Sequence, residues 1–398
     1  MKKKIVSLLA LAFLGSSTIF AADNLDASLN PLITAAPSLS IAPDARAGGM
    51  GDVGLATRPD VNSQYWNPAK YALMNGKGGA AISYTPWLRK IVKDIDLVYA
   101  AGYYNIGDVG GAVSASLRYF SLGSVQLTDY NGNTLSTAHP NEWSADVAYS
   151  HKLHEYVSMG VAFRFIYSDL NNGANSSTSG STEMYPGMAF GADVAVFYQQ
   201  PFDLKMGKAL LGVGFNISNL GSKISYDKKA TSNFIPAKMA LGISWEQPFN
   251  EYNTLTIAAD ASKLLVPSMK SKDYVSEDNP EGKMTQKEYS DITAPAGWFK
   301  SFGDAPGGFK EEMKEIQWGI GLEYAYNHQF MARVGYSHES KIKGNRRYWT
   351  VGAGFRLSMF QLDVAYVIAN QTNPLDQTLR FTLAFNMDGL KNIWDKDK

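Results

Sequence analysis

The chain has 398 residues, no cysteine, and 37 Lys plus Arg against 37 Asp plus Glu, so its formal net charge is zero. Lack of cysteine removes disulfides and thiolate chemistry, and balanced charge lacks the basic excess that marks nucleic-acid binders. Aromatic residues (22 Tyr, 19 Phe, 8 Trp) and 36 Gly are abundant, a composition that suits a membrane barrel with aromatic girdles.

Residues 1–22 read as a secretory signal peptide. Lys2, Lys3 and Lys4 form a positive start, Ile5 to Phe20 are largely apolar, and Ala21 and Ala22 offer small residues for cleavage before Asp23. After it, no uninterrupted apolar run reaches the roughly 20 residues of a transmembrane helix. The mature chain is therefore not expected to be a helical membrane protein.

Residues 23–77 are punctuated by Gly and Pro and show no sustained alternation. From residue 78 onward, period-two patterning dominates. In 351–357, Val351, Ala353, Phe355 and Leu357 share one face, opposite Gly352, Gly354 and Arg356. In 379–385, Leu379, Phe381, Leu383 and Phe385 oppose Arg380, Thr382 and Ala384. A soluble sandwich would place Lys and Glu on its polar face. Here that face is Gly, Ser, Ala and Asn with scattered Asp and Arg, which suits a crowded polar lumen.

Fourteen such segments follow in order: 79–87, 95–105, 109–121, 141–151, 156–169, 185–200, 208–218, 235–247, 252–266, 316–326, 329–340, 347–357, 360–369 and 377–387. Each matches or slightly exceeds the roughly 9–11 residues of a tilted strand crossing a bilayer. The connections alternate in length. Long ones span 122–140, 170–184, 219–234 and 267–315; short ones span 106–108, 152–155, 201–207, 248–251, 327–328 and 358–359. Long loops on one side and tight turns on the other is the outer-membrane pattern. The expected fold is thus all-β: a 14-stranded antiparallel transmembrane barrel over 78–387, with a long extracellular insert at 267–315 and a charged periplasmic tail at 388–398. A barrel of this size encloses more space than its own side chains fill, and residues 23–77 are the expected hatch.

Arg46-Ala47-Gly48-Gly49-Met50-Gly51-Asp52-Val53-Gly54, then Trp66-Asn67-Pro68-Ala69, resemble the hatch of the long-chain fatty-acid channel (FadL-type) superfamily. That resemblance implies structural roles in the hatch for Gly49, Gly51, Gly54, Asn67 and Pro68. The stretch 37–44, the string Trp66 to Ala72, Ser83-Tyr84-Thr85-Pro86-Trp87-Leu88-Arg89 and Leu117-Arg118-Tyr119-Phe120 more closely resemble the PorV family of the type IX secretion system. This second resemblance implies a non-enzymatic, cofactor-free adaptor in the outer membrane. Its partners would be the large translocon barrel, the C-terminal domains of secreted cargo, and a surface attachment complex with a sortase-like protease. Outer-membrane lipid would surround it, and nucleic acid is not expected. Two other functions stay open: a FadL-like channel for hydrophobic small molecules, and a lipid A deacylase.

Several motifs have a plainer reading. Gly49 to Gly54 spell G-x-G-x-x-G, but a dinucleotide fingerprint needs a preceding buried strand and a following helix; Pro43 and Pro59 flank this one. His151 and His154 have an i, i+3 spacing at a turn, which without further ligands is weak metal evidence. His338-Glu339-Ser340 has the residue types of a hydrolytic site, but only His338 and Ser340 share a strand face. Lumen-facing Arg118, Arg164, Arg333, Arg356 and Arg380, with Asp146, Asp193, Asp260, Glu323 and Asp363, are expected to pair with one another and with the hatch. Aromatics in a loop that should be wet suggest a contact surface, so Trp298, Phe299, Phe302 and Phe309 are candidate partner-binding residues. Trp87 and Leu88, in the first outer loop, are the second candidate.

Overall fold

The computed structural model describes residues 29–387, except positions 75, 108–110, 129–130, 132, 173–183, 206, 229 and 371–372. The expected signal peptide and charged tail lie outside the described residues.

The strands are β1 (Gly78–Pro86), β2 (Ile95–Asn105), β3 (Gly111–Leu122), β4 (Val125–Thr128), β5 (Thr134–Ala138), β6 (Asn141–His154), β7 (Val157–Asp169) and β8 (Gly187–Leu204). They continue as β9 (Gly207–Gly221), β10 (Lys238–Pro248), β11 (Asn253–Leu264), β12 (Gln317–Tyr326), β13 (Phe330–His338), β14 (Arg347–Leu357), β15 (Phe360–Ala369) and β16 (Leu379–Asn386). Fourteen of them close a barrel of antiparallel neighbours, shut by β1 against β16 from Gly79↔Asn386 to Tyr84↔Phe381. Strands β4 and β5 form a separate hairpin outside the ladder, a feature the alternation count treats as loop. Closure leaves no unpaired edge for lipid to strand, which is why such a chain can cross a bilayer.

The pleat sorts side chains into two environments. Leu117, Val147, Phe163, Phe190, Leu241 and Leu383 are exposed on the outer wall. Ser116, Asp146, Arg164, Thr350 and Arg380 are buried inside. Register sets Asp146 opposite Arg164 on β6 and β7, and Glu323 opposite Arg333 on β12 and β13. The turn after β12 is tight because Asn327 and His328 both take positive φ, 52° each, a conformation Asn and His adopt more often than most non-glycine residues.

The lumen is filled by residues 30–74. This segment carries two single-turn helices, α1 (Ala45–Gly48) and α2 (Ser63–Trp66), and 3-10 turns at Pro37–Ser40 and Pro68–Leu73. Asp44 caps α1 by accepting the Ala47 amide at 2.9 Å and also receives the Trp66 indole N–H at 2.6 Å. Between β11 and β12 the chain folds into α3 (Gln286–Asp291), α4 (Ala294–Lys300) and α5 (Phe309–Glu312). Thr285 and Glu288 form a capping box at α3. Phe234, Val266, Met284, Tyr289 and Ile292 give this insert its own small core.

Candidate functional site

The hatch is bound to the wall by charge and by backbone fit. Arg46 reaches Glu323 at 3.1 Å and Asp60 at 2.7 Å, while Arg333 holds Glu323 at 2.6 Å and Asp363 at 2.7 Å. Asp52 receives Arg380 and the Tyr348 hydroxyl. Arg164 bridges Asp146 at 2.8 Å and Asp193 at 3.1 Å. Three of the charges singled out in the sequence act differently from simple ion pairs. Asp260 accepts the backbone N–H groups of Gly54 and Leu55 at 2.8 and 2.9 Å. Arg118 donates to the carbonyls of Ser38 and Ile41 at 2.6 and 2.9 Å, with its guanidinium over the Tyr65 and Tyr99 rings. Arg356 lies exposed near the short-turn end and donates to Gln361 at 2.9 Å. The hatch thus supplies backbone carbonyls to Arg118 and backbone N–H groups to Asp260, partners that a buried charge needs.

Small residues let the two surfaces touch. A Cβ at Gly335 would collide with the backbone of Met50 and Gly51. Gly49 lies against Gly352, and Gly51 has φ +75° with its backbone on Tyr336. A Cβ at Gly54 would strike the Trp66 ring. Asn67 accepts the Ala69 amide at 3.0 Å and donates to the Val196 carbonyl at 3.0 Å; Pro68 follows at the first position of its 3-10 turn. The G-x-G-x-x-G string therefore runs through a turn after α1, without a preceding strand.

Among the described residues the lumen holds a polar cavity toward each end. The one toward the long loops, of about 120 Å³, is lined by Asp52, Lys238, Asp260, Arg346 and Arg380 among others. The one toward the short turns, of about 480 Å³, is lined by Arg46, Arg58, Asp60, Arg356 and Asp363 among others.

Of the string His338-Glu339-Ser340, the first two side chains have other neighbours. His338 stacks on Trp318 with ring centres 4.9 Å apart and lies 3.4 Å from the Tyr336 hydroxyl. Glu339 holds Arg346 at 2.8 Å and Gln317 at 2.6 Å. Among the described residues no His, Asp or Glu group has the arrangement of a metal site.

The candidate contact aromatics separate into two sets. Trp87 and Leu88 are half-buried, and Trp87 packs against both the Ile41, Leu97, Phe120 cluster and the Tyr348, Val367, Leu375 cluster. Leu88 takes φ +52°, turning the loop over the rim. On the insert, Trp298 is half-buried, but Phe299 is 77% exposed, Phe302 51% and Phe309 78%.

A latch holding the insert had no sequence signature. Lys343 reaches Glu311 at 2.6 Å and Glu315 at 2.8 Å, and Lys263 reaches Glu312 at 3.0 Å. Asn30, at the start of the hatch, donates to Glu311 at 3.0 Å and accepts Ser268 at 2.8 Å. Asp304 accepts the Ser268 amide at 2.7 Å; its carboxyl is pushed up to about 7 by burial, aided by Glu315 and Glu312. Lys223 donates to the carbonyls of Tyr289, Ser290 and Ile292, and burial brings its ammonium down to about 8.

Residues 24–271 match the family model described as type IX secretion system protein PorV. Solved structures share the architecture. The TodX deltaS2S3 mutant monoaromatic hydrocarbon channel superposes with a TM-score of 0.51 at 12% identity, covering 86% of this chain and 98% of that one. The Pseudomonas putida toluene transporter TodX gives 0.51 at 10% identity, over 87% and 98%. The Ralstonia pickettii toluene transporter TbuX gives 0.50 at 12% identity, over 86% and 97%. At such identities the likeness establishes the barrel fold alone. No curated protein sequence matches the chain.

Proposed function

Because the chain belongs to the family of the type IX secretion system protein PorV, we propose that it is a non-enzymatic adaptor of that system. In this reading it binds the C-terminal domain of exported cargo as it leaves the large translocon barrel. It then presents that cargo to a surface attachment complex with a sortase-like protease. The observation that carries the reading is the way the hatch closes the lumen. Asp52, Arg46, Asp260 and Arg118 tie it to the wall, and a barrel occupied in this way leaves its rim to meet partners. The outer insert, latched by Lys263 and Lys343, offers Phe299 and the half-buried Trp298 to a protein partner. An exposed large aromatic on a held scaffold is a typical interface anchor.

The channel reading predicts an apolar passage between hatch and wall. Charged side chains line both inner cavities, which favours the adaptor. The deacylase reading needs Ser340 to act with His338, whose ring is stacked on Trp318; a Ser340→Ala chain is expected to leave the lipid A acyl pattern unchanged.

Affinity purification from solubilised outer membranes tests the adaptor. The expected result is co-purification of a much larger barrel and of exported proteins, with cargo missing from the cell surface when the chain is deleted. Full surface display of cargo in the deletion strain would sink it.

A further inference from the structure

We propose that the underside of the outer insert and the barrel wall beneath it form a binding groove for one acyl chain of an outer-leaflet lipid. The inference is independent of the adaptor role.

The groove has a volume of about 450 Å³, within the roughly 300–1,000 Å³ of ordinary ligand clefts. Its floor is the outer wall at the long-loop ends of three strands: Phe215 on β9, Met239 and Leu241 on β10, and Ala261 on β11. Register aligns Phe215 with Leu241 and Leu241 with Ala261. The roof is Phe302, Phe309, Met313 and Ile316 of the insert. Ala261 creates the depth. It sits on the lipid-facing side of β11 between Leu241 and Trp318, both large and both exposed.

Two observations choose the occupant. First, the floor is continuous with the lipid-facing belt, since Leu241 and Ile243 are 57% and 54% exposed on the same strand face. Anything filling the groove meets hydrocarbon directly below, at outer-leaflet depth. Second, the roof residues would otherwise leave a contiguous apolar patch facing water, which soluble surfaces rarely carry. Phe302, Phe309 and Met313 are each at least half exposed. Exposed Lys310 and Lys314 adjoin Phe309 and Met313 in the chain. Such cations beside an apolar slot suit the anionic head of a lipid whose tail lies within. Lys263 closes the inner end, its ammonium held by Glu312 and Glu315.

The test reconstitutes the full chain into phosphatidylethanolamine–phosphatidylglycerol vesicles containing a phospholipid with a photoreactive acyl chain. After irradiation, adducts are mapped by peptide mass spectrometry. Labelling at Phe302, Phe309 and Met313 is expected to exceed that at Phe299, outside the groove, by about tenfold. Ala261→Phe, which fills the floor, should abolish the excess and leave belt labelling at Leu117 and Leu383 unchanged. Folding of the variant is checked by heat-modifiable electrophoretic mobility. Should Ala261→Phe not fold, Phe302→Ser, outside the strands, should lower labelling at Met239 and Leu241 instead. Equal labelling of Phe299 and the roof, or excess labelling that survives the folded substitution, would overturn the proposal. So would protein rather than lipid captured by a photoreactive residue at position 313 in intact outer membranes.

Discussion

Replacing Glu323 with Gln removes a buried charge shared by the hatch and the wall. Its carboxylate accepts Arg46 at 3.1 and 3.2 Å and Arg333 at 2.6 Å. Glutamine keeps the volume but turns an amide donor toward one of two guanidiniums. Breaking one side of a buried ion pair costs about 3–5 kcal/mol. Both arginines retain another acid, Asp60 and Asp363, each at 2.7 Å, which places the loss near the lower end, about 3 kcal/mol. That energy corresponds to a hatch-opening equilibrium raised on the order of 100-fold. The chain's lack of cysteine makes this measurable. Ala47→Cys introduces a thiol at a position only 4% exposed, which a maleimide reaches when the hatch opens. Labelling should accelerate by about two orders of magnitude in the Glu323→Gln background. A change of less than about threefold would refute the idea that these charges hold the hatch. Glu281→Gln, which breaks a pair with Lys270 on an exposed loop, should leave the rate unaltered.

Gly335→Val drives a side chain into the Met50–Gly51 backbone; overpacking of this kind costs about 1–3 kcal/mol. Its signature is an intact barrel with increased conductance in a planar bilayer, and unchanged conductance would contradict the close fit. The pH response of the insert follows from Asp304. A carboxyl raised from 3.8 to about 7 by burial and its acidic neighbours contributes fully below the lower value and loses that contribution as pH rises through the upper one. Hydrogen exchange near Ser268, corrected for intrinsic rate, should therefore show more protection at about pH 5 than at about pH 8. Asp304→Asn should erase the difference. Phe299→Ser should weaken cargo co-purification while leaving heat-modifiable mobility normal; equal recovery of cargo would remove this ring from the interface.

The barrel was legible because lipid and lumen impose a strict period of two. The expected segments 95–105, 347–357 and 360–369 coincide with β2, β14 and β15. Strands β8 and β9 run longer than expected, through Leu204 and from Gly207 to Gly221, since a ladder continues past the bilayer wherever its neighbour still pairs. The hairpin β4–β5 escaped the count, although Val125 and Thr128 have β-forming side chains. Contacts between hatch and wall could not be read, because their members lie far apart in the chain: Gly54 and Asp260 are 206 residues apart, and Asp52 and Arg380 are 328. Trp87 is half-buried, with one side against two clusters at the rim, and nothing local in the sequence distinguishes a rim tryptophan packed in part from one wholly displayed. The helical insert did carry a local clue in Thr285-Gln286-Lys287-Glu288, the capping box of α3.

Site-specific photocrosslinking from position 299 in living cells tests the adaptor role most directly. The predicted product joins this chain to the C-terminal domain of an exported protein, and it disappears when that domain is deleted from the cargo. Products with lipid alone, in cells actively secreting cargo, would contradict it.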